Sequence, residues 1–160
     1  MNIELRRFFE DDGKLDIDYQ FTSEDEMFVS PVSVTGRIRS ANSIVELSAD
    51  VCCSVSSQCA KCAKDIVKKL NIPVEHLLVS QLNDEDNDDF ILVENMVLNL
   101  DELLLEDIYL SLPARFLCKK DCKGLCPYCG ADLNDSVCNC KKPIDPRLAA
   151  LQQLLDNNEE

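Results

Sequence analysis

"IVELSADVCCSVSSQCAKCAKDIVKKLNIPVEHLLV", residues 44–79, is the stretch on which the fold turns. Its first half alternates with period two, so Val45, Leu47, Ala49, Val51, Cys53 and Val55 fall on one face of a strand. That register places Cys53 inside as a small core hydrophobe and Cys52 on the sheet surface. The second half puts Ile66, Leu70, Ile72, Val74 and Leu78 in one parity, and His76 shares it as a satisfied core or sheet-face residue. Pro73 cannot donate to a ladder and marks a bulge or an edge strand. Two long runs joined by "SSQCAKCAK" predict a β-hairpin with Cys59 and Cys62 at its tip.

Upstream, "VSVTGRI" continues the alternation with Val32, Val34, Gly36 and Ile38. The first thirty residues mix short apolar pieces with acidic turns and predict an irregular strand or two. Downstream, "NDEDNDD" (83–89) reads as a solvated acidic loop. It lacks the central Gly of a calcium loop, and Asn95 stands at the twelfth position counted from Asp84, where such a loop has Glu. "FILV" and "NMVLNL" are short strands around a turn at Glu94–Asn95. At Asn99 the period changes: Asn99 and Glu102 have capping-box spacing, Leu100, Leu103, Leu104 and Ile108 make a helical stripe, and Pro113 closes it. "DPRLAALQQLL" predicts a C-terminal helix, with Asp145 as N-cap, Pro146 at its first position and Leu148, Leu151 and Leu155 on one face.

Charge divides the chain. Residues 1–112 hold 9 Lys/Arg and 23 Asp/Glu, whereas residues 113–160 hold 7 of each. An acidic body repels phosphate backbones and attracts basic partners. No apolar run approaches the ~20 residues of a membrane span, and "MNIELRRFFEDDG" lacks the apolar stretch of a signal peptide. The expectation is a cytoplasmic protein with no membrane partner, whose thiols stay reduced.

Besides Cys52 and Cys53, eight cysteines remain, in pairs at 59/62, 118/122, 126/129 and 138/140. Zinc favours four thiolates in a tetrahedron, and a turn carrying two closely spaced cysteines aims both sulfurs inward. "CPYCG" has the form of a zinc-ribbon knuckle, in which Gly130 permits a positive φ after the second ligand. Its local partner is the pair Cys138 and Cys140 across a turn containing "ADLND". Cys59 and Cys62 then join Cys118 and Cys122, giving two closed sites and two zinc ions. A rival partition groups Cys122 with Cys126 and Cys129 and leaves Cys118 free. Closed sites have no open position for a catalytic water, so the cysteines build a surface. C-x-x-C is also a thiol-oxidoreductase signature, but that chemistry wants a βαβ setting, and β-hairpin periodicity surrounds "CAKC".

The segment 113–142 carries six Lys/Arg against three Asp, and two zinc–tetrathiolate centres would bring it close to neutral. Lys119, Lys120, Lys123, Lys141 and Lys142 are candidate RNA or partner contacts, but a basic protein partner suits the acidic body better. No Ser/His/Asp arrangement, phosphate-binding loop or dinucleotide fingerprint is present, and His76 is the one histidine. Neither an enzymatic role nor a small-molecule substrate is expected.

In order, "QCAKC" after a β-rich half, "LDELLLEDIYLSLP", "GLCPYCGADLN", "CNC" and "IDPRLAALQQL" resemble the bacterial YceD family, the large ribosomal RNA subunit accumulation proteins. The resemblance covers roughly residues 27–156 and is strongest in the tail. It implies a part in ribosome assembly or precursor protection, and it supplies no reaction. Its matching positions are the Cys59/Cys62 pair and the tail cysteines; Cys52 and Cys53 match no motif.

The architecture expected is α+β: an antiparallel β-sheet or partial barrel with one packed helix near 100–111, and a zinc-ribbon-like C-terminal module. The domains expected are an acidic β-rich body at 1–112, a cysteine-rich module at 113–142, and a helix with a disordered tail at 143–160. The function expected is non-enzymatic ribosome biogenesis through contacts with a basic ribosomal or assembly protein. The alternatives are a zinc ribbon that binds RNA directly and a thiol-based redox protein.

Overall fold

The structure is a computed structural model that describes residues 1–11, 13–41, 44–81 and 90–140. The acidic loop expected at 83–89, the C-terminal helix and tail, and Lys141 and Lys142 lie outside the described residues. The chain forms two compact units. One comprises Met1–Gln58 and Asp65–Phe116; the other joins Cys59–Lys64 to the chain from Leu117 onward. The hairpin tip is therefore counted with the tail, a division that a cut at one point in the sequence cannot express.

The first unit is built on a five-stranded sheet curled into a half-barrel. Its strands in spatial order are β2 (Lys14–Phe21), β3 (Val32–Ala41), β4 (Ile44–Gln58), β5 (Asp65–Val79) and β6 (Phe90–Leu92). The hairpin expected from residues 44–79 is its centre: β4 and β5 pair antiparallel without interruption from Val45↔Leu78 to Gln58↔Asp65. The unbroken register removes the bulge considered at Pro73. That residue sits where β5 has no outer neighbour among the described residues, since β6 pairs with Leu77–Val79, and a proline is tolerated on such an edge.

Inward parity holds along β3, β4 and the second half of β5, while Ile66 and Leu70 are half-buried. Val45, Leu47, Val51 and Val55 of β4 and Val32, Val34 and Ile38 of β3 are fully buried, as is Leu78 of β5. Cys53 is buried among them, whereas exposed Cys52 lies 3.1 Å from the side-chain oxygen of Asn71 on β5. Each such aliphatic side chain contributes roughly 1.5–3 kcal/mol on burial.

Helix α2 (Leu100–Ser111) closes the core with Leu100, Leu104 and Ile108, all fully buried, and Leu103 packs at the margin. His76 lies 2.7 Å from Asp107 of α2, a satisfied polar contact at the edge of the apolar layer. The capping box does not form. Asn99 occupies the N-cap position, but its amide donates to the Glu102 carboxylate at 3.1 Å, and the Leu100 N–H is taken by the Met1 carbonyl at 3.0 Å.

Two further features depart from the sequence expectation. The opening residues are more regular than an irregular strand or two: β1 (Asn2–Glu4), helix α1 (Arg6–Glu10) and the eight-residue β2. Helix α1 is little more than one turn, too short to show a helical period. In β2 the alternating Asp16 and Asp18 lower intrinsic strand preference, and pairing with β3 supplies the register. The short strands flanking the Glu94–Asn95 turn also belong to different sheets. β6 runs parallel to β5, while β7 (Val97–Asn99) pairs antiparallel with β1, and three residues carry too little pattern to specify direction.

Among the described residues the second unit has almost no aliphatic core. Its buried cluster is Cys59, Cys62 and Cys122, with Leu117 and Cys118 half-buried against it. No helix among the described residues is long and apolar enough to cross a membrane.

Candidate metal centre

Two turns of the same form present the cysteines. In residues 59–63 the Ala63 N–H donates to the Cys59 carbonyl at 2.9 Å, and in residues 126–130 the Gly130 N–H donates to the Cys126 carbonyl at 2.9 Å. The residue after the second cysteine has a positive φ in both, 55° at Ala63 and 72° at Gly130. Glycine adopts this conformation freely, whereas an alanine needs support from its surroundings. The Cys59 N–H bonded to the Lys64 carbonyl at 2.9 Å helps close the loop around Ala63. The sequence pointed to the turn at Gly130; the matching strain at Ala63 carries no signal.

These turns gather eight sulfurs into two groups. Cys59, Cys62, Cys118 and Cys122 form one, Cys126, Cys129, Cys138 and Cys140 the other, and within each all ligand atoms lie within 4.8 Å of one another. The groups follow the local partition; the rival set of Cys122 with Cys126 and Cys129 is not assembled. In the first group Cys59 and Cys122 sulfurs stand 3.8 Å apart, and those of Cys62 and Cys118 3.6 Å. A disulfide needs ~2.05 Å. A tetrahedron with ~2.3 Å arms has edges of ~3.8 Å, so these separations fit four thiolates around one ion. The first group is largely enclosed, with Cys59, Cys62 and Cys122 buried. In the second only Cys126 is buried, and Cys129 and Cys140 are exposed.

Electrostatics divides the thiols within each group. Burial works against ionisation of Cys59, yet N–H donation from Cys118, Lys61 and Cys62 outweighs it and brings its pKa down to about 6. Backbone N–H groups of Cys129 and Tyr128 do the same for Cys126, also to about 6. At the other extreme, burial together with the neighbouring thiols Cys122, Cys62 and Cys59 pushes Cys118 up to about 12. Cys140 is pushed up to about 12 by hydrogen bonding to Cys129, burial and the charge on Cys129. Four thiolates this close repel one another unless a cation sits between them. Each group is thus a donor set for one soft metal ion.

Further residues brace the second unit. Lys64 lies 2.9 Å from a carboxylate oxygen of both Asp132 and Asp135. Hydrogen bonding to Asp135 and then Asp132 holds its ammonium above the ordinary lysine range, and the Lys64 bond brings Asp132 down to about 2. The Lys61 ammonium donates to the Cys122 carbonyl at 3.0 Å, and its own carbonyl accepts the Leu125 N–H at 3.0 Å. Gly124, at φ 79°, passes so close that an added Cβ would stand 2.9 Å from that Lys61 carbonyl oxygen. Sequence reasoning missed Lys61, Lys64, Asp132 and Asn134, which read there only as parts of turns. Lys119, Lys120 and Lys123 are exposed on the same unit and form no ion pair among the described residues.

Paired knuckles that converge in two four-cysteine groups, in a chain that also carries a curled β-sheet, define a sheet protein with a cysteine-ribbon module. The chain belongs to the YceD family, described as large ribosomal RNA subunit accumulation protein YceD, which matches residues 47–155. It is similar to the uncharacterized protein YlbN of Bacillus subtilis, with 28% identity over 135 residues covering 82% of this chain and 78% of that protein. It is also similar to the uncharacterized proteins Rv2926c of Mycobacterium tuberculosis and Mb2951c of Mycobacterium bovis. Each is 27% identical over 123 residues, 74% of this chain. The chain spans 59% of the length of these mycobacterial relatives. No solved structure matches it.

Proposed function

We propose that this chain is a non-catalytic, cytoplasmic ribosome-biogenesis factor that supports accumulation of large-subunit ribosomal RNA by docking a basic ribosomal or assembly protein. The observation that carries the reading is the family match over residues 47–155, which spans both four-cysteine groups. The groups are structural zinc centres in this reading. All four positions of each tetrahedron are filled by protein sulfur, which leaves none for a reacting water. The body at 1–112, with 23 acidic against 9 basic residues, supports a basic protein partner over naked RNA.

Capture of the tagged chain from growing cells at moderate salt, with and without nuclease, tests this. Basic large-subunit or assembly proteins that stay bound after nuclease are the expected result; their loss together with the RNA overturns protein docking. A second reading, direct RNA contact, rests on the exposed Lys119, Lys120 and Lys123, which form no ion pair among the described residues. It requires that changing all three to Glu abolish salt-sensitive RNA retention. Metal analysis checks the centres separately: two zinc ions per chain are expected, and zinc-free protein with a reversible Cys59–Cys62 disulfide would favour thiol redox chemistry instead.

A further inference from the structure

Asn134 belongs to one cysteine group by sequence and contacts the other by hydrogen bond. It belongs to the turn joining Cys129 to Cys138, yet its side-chain amide donates to the sulfur of Cys122, in the other group, at 3.4 Å. Every polar atom of that amide is engaged. The nitrogen also donates to an Asp132 carboxylate oxygen at 2.7 Å, and the oxygen accepts the Lys123 N–H at 3.0 Å. Rotating the amide by half a turn would set its oxygen against both the Asp132 carboxylate and the Cys122 sulfur, so the surrounding groups select the donor orientation.

The backbone fixes the residue equally well. The Asn134 N–H donates to the same Asp132 oxygen at 2.8 Å, and the Leu133 N–H donates to the Gly124 carbonyl at 2.9 Å. Asp132 pairs with Leu125 in an isolated antiparallel bridge and is held by Lys64 from the first knuckle. The Cys126 N–H completes the link by donating to the Ala131 carbonyl at 2.8 Å. The turn that presents Asn134 is thus closed by the second group and aimed at a ligand of the first.

We propose that Asn134 is a positioning residue that couples the two metal centres: closing the Cys126/Cys129/Cys138/Cys140 centre presents the donor that stabilises Cys122 as a thiolate ligand of the Cys59/Cys62/Cys118/Cys122 centre. This rests on the metal-centre reading above. An N–H aimed at a coordinated sulfur withdraws charge from it and orients it, and groups that support a ligand in this way are typically worth ~10–100-fold in metal affinity. Cys122 also holds the Lys61 ammonium on its carbonyl, so its backbone and its sulfur are each restrained from a different side.

The test is a chelator-competition titration of the full-length chain with zinc, repeated with cobalt(II) to follow the sulfur-to-metal charge-transfer band. Cys→Ser changes in either group assign the signals. Asn134→Ala should weaken the first centre by ~10–100-fold, shift its cobalt band and leave the second centre within twofold. Asn134→Gln, which keeps the donor on a longer arm, should recover part of the loss. Emptying the second centre with Cys126→Ser and Cys129→Ser should weaken the first by a similar factor, and Asn134→Ala added to that background should change nothing more. Unchanged affinity in Asn134→Ala with an unshifted band overturns the donor role, and full additivity of the combined variant overturns the coupling. A chain that binds no metal at all defeats the metal-centre reading itself, a result distinct from both.

Discussion

A methyl group at Gly36 is the most direct probe of the sheet. Gly36 lies in β3 opposite Ala49 of β4 and Ile17 of β2. A Cβ there would stand 2.4 Å from the Ser48 carbonyl oxygen and 2.6 Å from both Cα and Cβ of Ala49. Ordinary carbon–oxygen contact begins near ~3.2 Å, so about 0.8 Å must be opened, largely against backbone. Overpacking costs ~1–3 kcal/mol, and rigid obstacles put this case at the upper end. Replacing a strand glycine recovers ~0.5–1 kcal/mol of backbone entropy, which does not offset the clash. The net expectation for Gly36→Ala is a loss of about 2 kcal/mol, or roughly 8 °C in the melting temperature of a unit this size. Thermal unfolding followed by far-UV circular dichroism reads it. Because the Ser48 carbonyl remains, Gly36→Ala with Ala49→Gly should recover only a minor part of the loss. A melting temperature within 2 °C of the parent, or full recovery in the double variant, would refute the reasoning.

Other consequences can be checked alongside. Leu104→Ala, which empties a fully buried site between α2 and the sheet, should cost ~2–5 kcal/mol in urea unfolding at unchanged slope. Cys126→Ser should lower zinc content by one ion and make residues 117–140 protease-sensitive while the β-sheet signal persists; a ribbon that keeps its resistance counts against the ligand set. Tyr19, whose hydroxyl donates to Asp101 at 2.7 Å, has its pKa raised by burial, by that bond and by the Asp101 charge. The folded state therefore holds this proton more tightly than the unfolded chain, and the stabilisation is complete below the unfolded value of ~10 and is lost as pH rises beyond it. Between pH 9 and 11 the parent should lose more stability than Tyr19→Phe, and parallel pH curves would remove the assignment.

The parts of this fold legible in the sequence are those where one physical signal dominates. Fifteen-residue strands with a dominant period of two define β4, β5 and the position of Cys59 and Cys62 at their turn. The spacing of the cysteine pairs pointed to the four-plus-four grouping but left the rival set of Cys122 with Cys126 and Cys129 open, and only the fold separates the two. What stayed hidden depends on distant partners. Helix α1 is held by the burial of Leu5 and Phe8, not by any period of its own. The direction of β6 is decided by three residues of pairing. Asn134 and Lys64 look like ordinary turn and surface residues until the fold brings Cys122 and Asp132 to them.

The first cysteine group also sets an order of events during synthesis. The ligands of the second group all lie between Cys126 and Cys140, so they emerge together, after Cys122 has already completed the first. The first joins Cys62 to Cys118, 56 positions apart. Until Cys118 and Cys122 emerge, the finished hairpin carries a half-built site whose two thiols have no metal partners from the tail. An ion that closes it also closes a ring through β5, β6, β7 and α2, and a cross-link of that span removes about 4 kcal/mol of chain entropy from the unfolded state. An ion bound there would act as a latch on the nascent chain, engaged only after the whole of the sheet unit, which ends at Phe116, has been made.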